Sequence, residues 1–275
     1  MSSISKPANS DADARVARIS DALVNARVHR QVLPRFPGDF PGDLDEAYRV
    51  QDRSIALWDD EVVAWKVGGI PQELRSVLGQ DWVTGPIYRK RQRFADDKPV
   101  EMPVFDGGFA AVEAEIILEF GELSRIDTPL PEAEDMVPHI ANCYIGVEIA
   151  SSPMPEINRF GPLAVISDFG NNHGMIVGRR IDAWTPEKLS RIEVSTFVEG
   201  NLVGAARPPL PPAGPMGAAA FLVRNLRRRG VDIPEGLRVS SGALTGIHDV
   251  VVGQRANVLF KGIGEIDIEI TALKS

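Results

Sequence analysis

The sequence predicts an α+β fold with a mostly antiparallel β core. Helix-periodic segments are concentrated before residue 60, strand-like segments dominate the rest of the chain, and one further long helical pattern interrupts them. Helices segregated from strands indicate α+β rather than alternating βαβ units. The 275 residues suffice for one large domain or a small one joined to a large one, and 44% hydrophobic with 25% charged residues is an ordinary globular balance.

Residues 1–10 are polar and without periodicity and read as a disordered tail. Over 12–32, Val16, Ile19, Leu23 and Val28 recur at helical spacing, and the Pro/Gly-rich stretch 33–42 ends that helix. Asp43 with Glu46 three residues on resembles a capping box, and Leu44, Ala47, Tyr48, Ile55 and Trp58 then share a helix face. Residues 62–67 read as a strand running into Gly68-Gly69, with further strands at 111–120 and 145–150. Segments 191–198 and 202–205 flank Gly200-Asn201 as a hairpin. Residues 214–229 form a helix closed by Gly230, whose terminal Arg227, Arg228 and Arg229 complement the helix dipole in water. Strands at 237–244 and 256–270 close the chain. The division expected is a tail at 1–10, an N-terminal helical α/β region at 11–100 and a β-rich domain at 101–275.

Net charge is −8, which argues against a nucleic-acid partner. No apolar run approaches the ~20 residues of a membrane helix, and the polar N-terminus has no signal-like core, so the cytoplasm is the expected compartment. Cys143 is the single cysteine, without a partner for a disulfide or a thiolate zinc site, and is expected to be buried and inert.

Three segments carry chemistry. In Ala111-Val112-Glu113-Ala114-Glu115-Ile116, a strand would project Glu113 and Glu115 from one face. Adjacent carboxylates repel unless a cation lies between them, and oxygen ligands suit Mg²⁺ or Mn²⁺; a solvated strand face explains the pair equally well. Glu148 sits in the apolar run Ile145-Gly146-Val147-Glu148-Ile149, where a carboxylate is costly unless paired or metal-bound, or else faces outward. Lys66 sits in Ala64-Trp65-Lys66-Val67-Gly68-Gly69, placed to hold an anion or move a proton, or else to snorkel to the surface.

In order, Ala47-Tyr48-Arg49-Val50-Gln51, Trp65-Lys66-Val67-Gly68, Glu113-x-Glu115, Val147-Glu148-Ile149, Gly242-Ala243-Leu244-Thr245-Gly246, Gly253 and Gly262-Ile263-Gly264-Glu265-Ile266 resemble the 2-keto-4-pentenoate hydratase family of the fumarylacetoacetate-hydrolase-like superfamily. The resemblance runs from about residue 44 to 270. It implies a mixed β-roll catalytic domain, Mg²⁺ or Mn²⁺ on Glu113, Glu115 and Glu148, a catalytic Lys66 and a homo-oligomer. The expected substrate is a small 2-oxo acid, and the expected reaction adds water to a 2-hydroxy-2,4-dienoate to give a 4-hydroxy-2-oxo acid, as in aromatic catabolism. Decarboxylation or C–C hydrolysis of a related 2-oxo acid, or a non-catalytic binding role, are the alternatives.

Two departures stand out. Where the family often has Asp-Ser-Arg after the third carboxylate, this chain has Ala150-Ser151-Ser152. Where the hydratases usually have Asp-Asn-Ala-Ser-Ser-Gly, it has Asp168-Phe169-Gly170-Asn171-Asn172-His173-Gly174, one residue longer. Asp168 and His173 are therefore the candidates for proton transfer to or from water, Asn171 and Asn172 for substrate contact, and Thr245 for a hydrogen bond to a substrate carboxylate. A substrate dicarboxylate would need a further cation, for which Arg159 and Arg89 are candidates.

Overall fold

The structure, a computed structural model, describes residues 8–123, 126, 130–210 and 214–274. The expected tail lies outside the described residues as far as residue 7, and the first helix begins at Ala8. The helices are α1 (Ala8–His29), α2 (Leu44–Leu57), α3 (Gln72–Leu78), α4 (Ala133–Met136), α5 (Pro162–Ser167), α6 (Pro186–Leu189) and α7 (Gly214–Arg229). The strands are β1 (Val62–Gly69), β2 (Trp82–Tyr88), β3 (Gln92–Phe94), β4 (Val100–Val104), β5 (Phe109–Phe120), β6 (Ile140–Ser152), β7 (Asn172–Arg180), β8 (Val194–Val198), β9 (Asn201–Ala206), β10 (Arg238–Ser240), β11 (His248–Asp249), β12 (Arg255–Phe260) and β13 (Gly264–Ala272).

The strands form two mixed sheets. The 8-stranded sheet runs β2-β1-β10-β5-β6-β7-β3, with β11 on β5, and the 5-stranded sheet runs β4-β13-β12-β8-β9. β1 pairs with β10, β3 with β7 and β4 with β13 in parallel; the remaining pairs are antiparallel. Residues on both sides of position 100 thus share the 8-stranded sheet, where β1 lies between β2 and β10, whereas the 5-stranded sheet is built from residue 100 onward.

Alternation along the central strands decides where the chemistry sits. On β5, Val112, Ala114, Ile116 and Leu118 enter the main core with Ile145, Val147 and Ile149 of β6 and α7 residues such as Leu222 and Leu226. Residues of the other parity, Glu113 and Glu115 on β5 and Glu148 on β6, take the opposite face, as a period of 2 demands. On β1, Trp65 and Val67 enter the main core, leaving Lys66 on the carboxylates' face beside Ala64. Both faces are covered, so polar residues here are buried rather than solvated.

The helix expected from Asp43 forms as read: the Asp43 side chain accepts from the Glu46 N–H at 2.8 Å. The closing strand expected at 256–270 is instead a hairpin, β12 and β13, turning at Gly262 with φ +75°. The strand expected at 237–244 stops at Ser240, where the backbone leaves the ladder and turns over the carboxylate face. Five strands, β2, β3, β4, β7 and β11, were hidden from pattern reading. β2 and β4 contain Gly85-Pro86 and Pro103, which mimic turn signals, and the apolar centre of β7, Met175 to Val177, is bracketed by glycines. Cys143 is buried and free, and burial pushes its thiol up to about 12.

Candidate metal and substrate site

Glu113 and Glu148 are direct cross-strand partners on β5 and β6, and Glu115 lies opposite Gly146, which offers no side chain to fill the space between them. A side chain at position 146 would meet Ile117 at 2.3 Å and the Ile176 carbonyl at 2.8 Å. Each of the three carboxylates presents an oxygen within 4.8 Å of the others, and all three are buried. Lys66 of β1 completes the cluster, its Nζ 3.5 Å from Glu148 Oε1. Gly68 has no Cβ because that atom would stand 2.6 Å from the same Nζ.

The surrounding donors fix the carboxylates without saturating them. Ser240 Oγ donates to Glu115 Oε2 at 2.6 Å and the Gly242 N–H to the same oxygen at 2.9 Å. Asn172 Nδ2 donates to Glu148 Oε1 at 2.9 Å and to the Gly174 carbonyl at 3.3 Å. Glu115 Oε1 and Glu148 Oε2 are buried without any hydrogen-bond partner. Orphaned carboxylate oxygens are costly, and here two of them face a shared space with Glu113. Three carboxylates oppose one ammonium, leaving two formal negative charges. Burial, with Glu148 next, pushes Glu113 up to about 8 and Glu115 well above the usual carboxylate range. Burial alone would lower Lys66, but Glu148, Glu113 and Glu115 outweigh it and hold the ammonium charged. This donor set, all oxygen and short of positive charge, fits a hard divalent cation.

The cluster opens into a cavity of about 550 Å³, with Lys66 and Glu113 in its lining. Ile70, Leu74, Val83, Val165 and Ile247 give it apolar walls, while Asn158, Arg159 and Asn171 supply polar groups. The segment carrying Asn171 is unusual: Phe169, Gly170 and Asn171 have φ of +53°, +69° and +61°. A left-handed phenylalanine persists only when its surroundings over-determine it. Its ring packs against Tyr88 and Trp58 at centroid distances of 5.3 and 5.6 Å, with Arg27 5.1 Å above it. Gly85 of β2 allows the segment to close in, since a Cβ there would lie 2.1 Å from the Phe169 carbonyl oxygen.

The remaining expected residues lie elsewhere. Asp168 is buried behind the cavity: Oδ1 accepts from Arg27 Nε at 2.5 Å and Oδ2 from Ser152 Oγ at 2.6 Å. His173 is buried beside Arg27, its Nδ1 3.4 Å from Nη1, and packs edge-on to Phe105 at 5.0 Å. Burial, with Arg91 and Arg27 adding, holds its imidazole well below the ordinary range. Thr245 bonds to Thr196 at 2.8 Å and to His248 at 3.1 Å. None of these three lines the cavity. Asn172 holds Glu148 rather than the cavity wall. Of the two further cations, Arg159 lines the cavity rim while pairing with Glu156 at 2.5 Å, and Arg89 pairs with Glu61 at 2.8 Å on the surface.

Arg27, Ser240 and Asn158 were not anticipated. Arg27 reads as one of many helical arginines, yet its side chain is 3% exposed and it also donates to the Ser151 carbonyl at 3.2 Å. A guanidinium thus stands beside the strand after Glu148, supplied by α1. Ser240 gave no distinguishing signal, since its strand also carries Arg238 and Ser241 follows it.

The fold is the fumarylacetoacetate-hydrolase-like α+β fold, carrying a buried carboxylate triad. No protein-family model matches the chain. Among solved structures, 4-oxalocrotonate decarboxylase from Pseudomonas putida G7, complexed with magnesium and adipate, is similar with a TM-score of 0.76 and 21% identity over 94% of this chain and 98% of that one. Fumarylpyruvate hydrolase from Pseudomonas aeruginosa, in complex with Mn²⁺ and pyruvate, matches with a TM-score of 0.52 and 15% identity over 76% and 89%. A 5-carboxymethyl-2-hydroxymuconate delta-isomerase from Mycobacterium smegmatis matches with a TM-score of 0.54 and 16% identity over 78% and 82%.

Proposed function

We propose that this chain is a divalent-metal-dependent lyase acting on a small unsaturated 2-oxo acid, with Mg²⁺ or Mn²⁺ held by Glu113, Glu115 and Glu148. The observation that carries this reading is the buried triad beside Lys66, opening into a cavity with apolar walls and a few polar groups. The similar structures bound to magnesium with adipate and to manganese with pyruvate support it. A bound divalent cation supplies Lewis-acid stabilisation of negative charge developing on a 2-oxo oxygen.

The chain's own residues do the rest. Lys66 holds the substrate carboxylate or moves a proton at the enol carbon, with its charge maintained by Glu148. Ile70, Leu74, Val83 and Val165 keep bulk water from the conjugated chain, and Asn171 contacts the substrate from the left-handed turn. Asp168 acts through Arg27, holding the turn from behind.

Two reactions share this arrangement. Hydration of a 2-hydroxy-2,4-dienoate to a 4-hydroxy-2-oxo acid follows the sequence resemblance. Decarboxylation of an unsaturated 2-oxo dicarboxylate is favoured by a specific observation: Arg159 lines the cavity, whereas Asp168 and His173, the residues expected to activate water, do not. In that reaction the distal C–C bond breaks, its electron pair passes along the conjugated chain to the 2-oxo oxygen, carbon dioxide leaves, and the resulting dienolate takes up one proton. No water is consumed. Assembly as a homo-oligomer in the cytoplasm is part of the same proposal; among the described residues no helix is long and apolar enough to cross a membrane.

Incubation of the Mg²⁺-loaded protein with each substrate class, monitored by ultraviolet absorbance and product analysis, tests the proposal. Formation of the 4-hydroxy-2-oxo acid supports the first reaction and release of carbon dioxide the second. Metal-dependent thermal stabilisation with no turnover of either substrate would point to a non-catalytic binding protein and sink the lyase reading.

A further inference from the structure

A second cavity, of about 630 Å³, lies between α7 and the turn from α3 into β2. Phe221, Arg224, Asn225 and Arg228 line it from α7. Their spacing of three and four residues puts them on one stripe of the helix. Arg227 adds a third guanidinium, and Trp82 of β2 adds a ring beside Phe221. A chain with net charge −8 therefore gathers three arginines around one concavity.

The ion pair of Arg228 is exchangeable. Arg228 pairs with Asp45 at 3.4 Å, with side chains 53% and 78% exposed, and Arg224 reaches Glu132 at 3.5 Å and the Pro131 carbonyl. An ion pair as exposed as Arg228–Asp45 contributes little and rearranges readily, while Arg224, 25% exposed, is held more firmly. Asp81, which also lines the cavity, is engaged by Arg75 at 3.8 Å. Asn225 is 3% exposed. Its Oδ1 accepts from Arg229 at 3.1 Å, while its Nδ2 is buried with no hydrogen-bond partner. An amide donor buried and unpaired beside three guanidiniums calls for an acceptor. The Trp82 and Phe221 rings, with centroids 5.8 Å apart and tilted 48° to each other, supply an apolar wall.

We propose that this cavity binds a small aromatic or conjugated carboxylate. The guanidinium forks match the two carboxylate oxygens, the Asn225 amide adds a donor, and the rings take the planar body. The same turn reaches the metal-site cavity: the Ile70 N–H donates to the Asp81 carbonyl at 2.8 Å, and Ile70 and Leu74 wall that cavity. Helix α3, between them, contains no buried residue and packs through the partly buried Leu74 and Leu78 alone among its apolar side chains. An anion against Trp82 therefore braces the wall of the first site. Binding here is independent of the lyase reading.

Calorimetric titration of the full chain with benzoate, in excess chelator so that the carboxylate triad stays metal-free, tests the site. The expected result is saturable binding of one benzoate per chain, weakened at least tenfold in Arg227→Gln/Arg228→Gln and in Asn225→Leu. The two arginines are exposed, so the double variant keeps its fold, as a thermal melt verifies. Hydrogen exchange of the amides at 79–82 should slow on benzoate addition. Absence of binding, or binding unchanged in the double variant, overturns the proposal. Inorganic phosphate bound as tightly as benzoate overturns the assignment of an aromatic carboxylate.

Discussion

Ser240 shows how much a single hydroxyl can decide. Its hydrogen bond, with that of the Gly242 N–H, fixes one oxygen of Glu115 and turns the other towards Glu113 and Glu148. Outer partners of this kind typically contribute 10–100-fold to metal affinity, so Ser240→Ala is expected to weaken Mn²⁺ binding by about that factor in a calorimetric titration. Lys66→Met should leave a competent metal site but lower turnover by about 10²-fold or more, measured as kcat at saturating metal. A kcat unchanged in that variant removes Lys66 from the chemistry. Protonation gives a further test. The Glu113 pKa is raised from its ordinary 4.5 to about 8 by burial and then Glu148, so the metal-free protein gains stability from this group fully below about 4.5 and loses it as pH rises through 8. Thermal melts in chelator should therefore show Tm falling between pH 5 and 9, and added Mn²⁺ should raise Tm most at the alkaline end. A Tm rising over that range in chelator would contradict the buried-triad account.

At the scale of elements, α1 is a clamp as well as a cover. Arg27 ties it to Asp168 and to the Ser151 carbonyl across the end of β6, with side chains 3% and 0% exposed in the ion pair. Removing one partner of such a pair strands the other charge, which costs about 3–5 kcal/mol. Arg27→Met should accordingly lower the urea midpoint without changing the slope; a loss under about 1 kcal/mol would mean the pair is not structural. β2 contributes through an absence: Gly85→Ala pushes a Cβ against the Phe169 carbonyl and is expected to displace the turn carrying Asn171, raising KM more than it lowers kcat. Much of this scale was legible in the sequence. Asp43 and Glu46 announced α2, and strand alternation put Glu113 and Glu115 on one face; grouping Glu148 and Lys66 with them rested on the family resemblance, because the register between distant strands is not a local pattern. Asp168, His173 and Thr245 were legible as polar residues in the right segments but not as to where they lie. Their positions depend on Arg27, Ser152, Phe105, Thr196 and His248, contacts between residues far apart in the chain. Local pattern carries no information about such pairings.

In the molecule as a whole, an eight-stranded sheet is buried on both faces, with the hydrophobic core against the second sheet and α7 on one side and the carboxylates with Lys66 on the other. Burying three carboxylates with a single lysine is unfavourable in isolation, and a divalent cation is the simplest agent that reverses the cost. The most direct test of that claim is electron paramagnetic resonance of Mn²⁺ titrated into wild type, Glu115→Gln and Glu148→Gln, with and without a 2-oxo acid. The account predicts one tight Mn²⁺ per wild-type chain, a signal altered by the 2-oxo acid, and loss of tight binding in both variants. Mn²⁺ that stays free in the presence of wild-type protein, or that binds both variants as tightly, would contradict it.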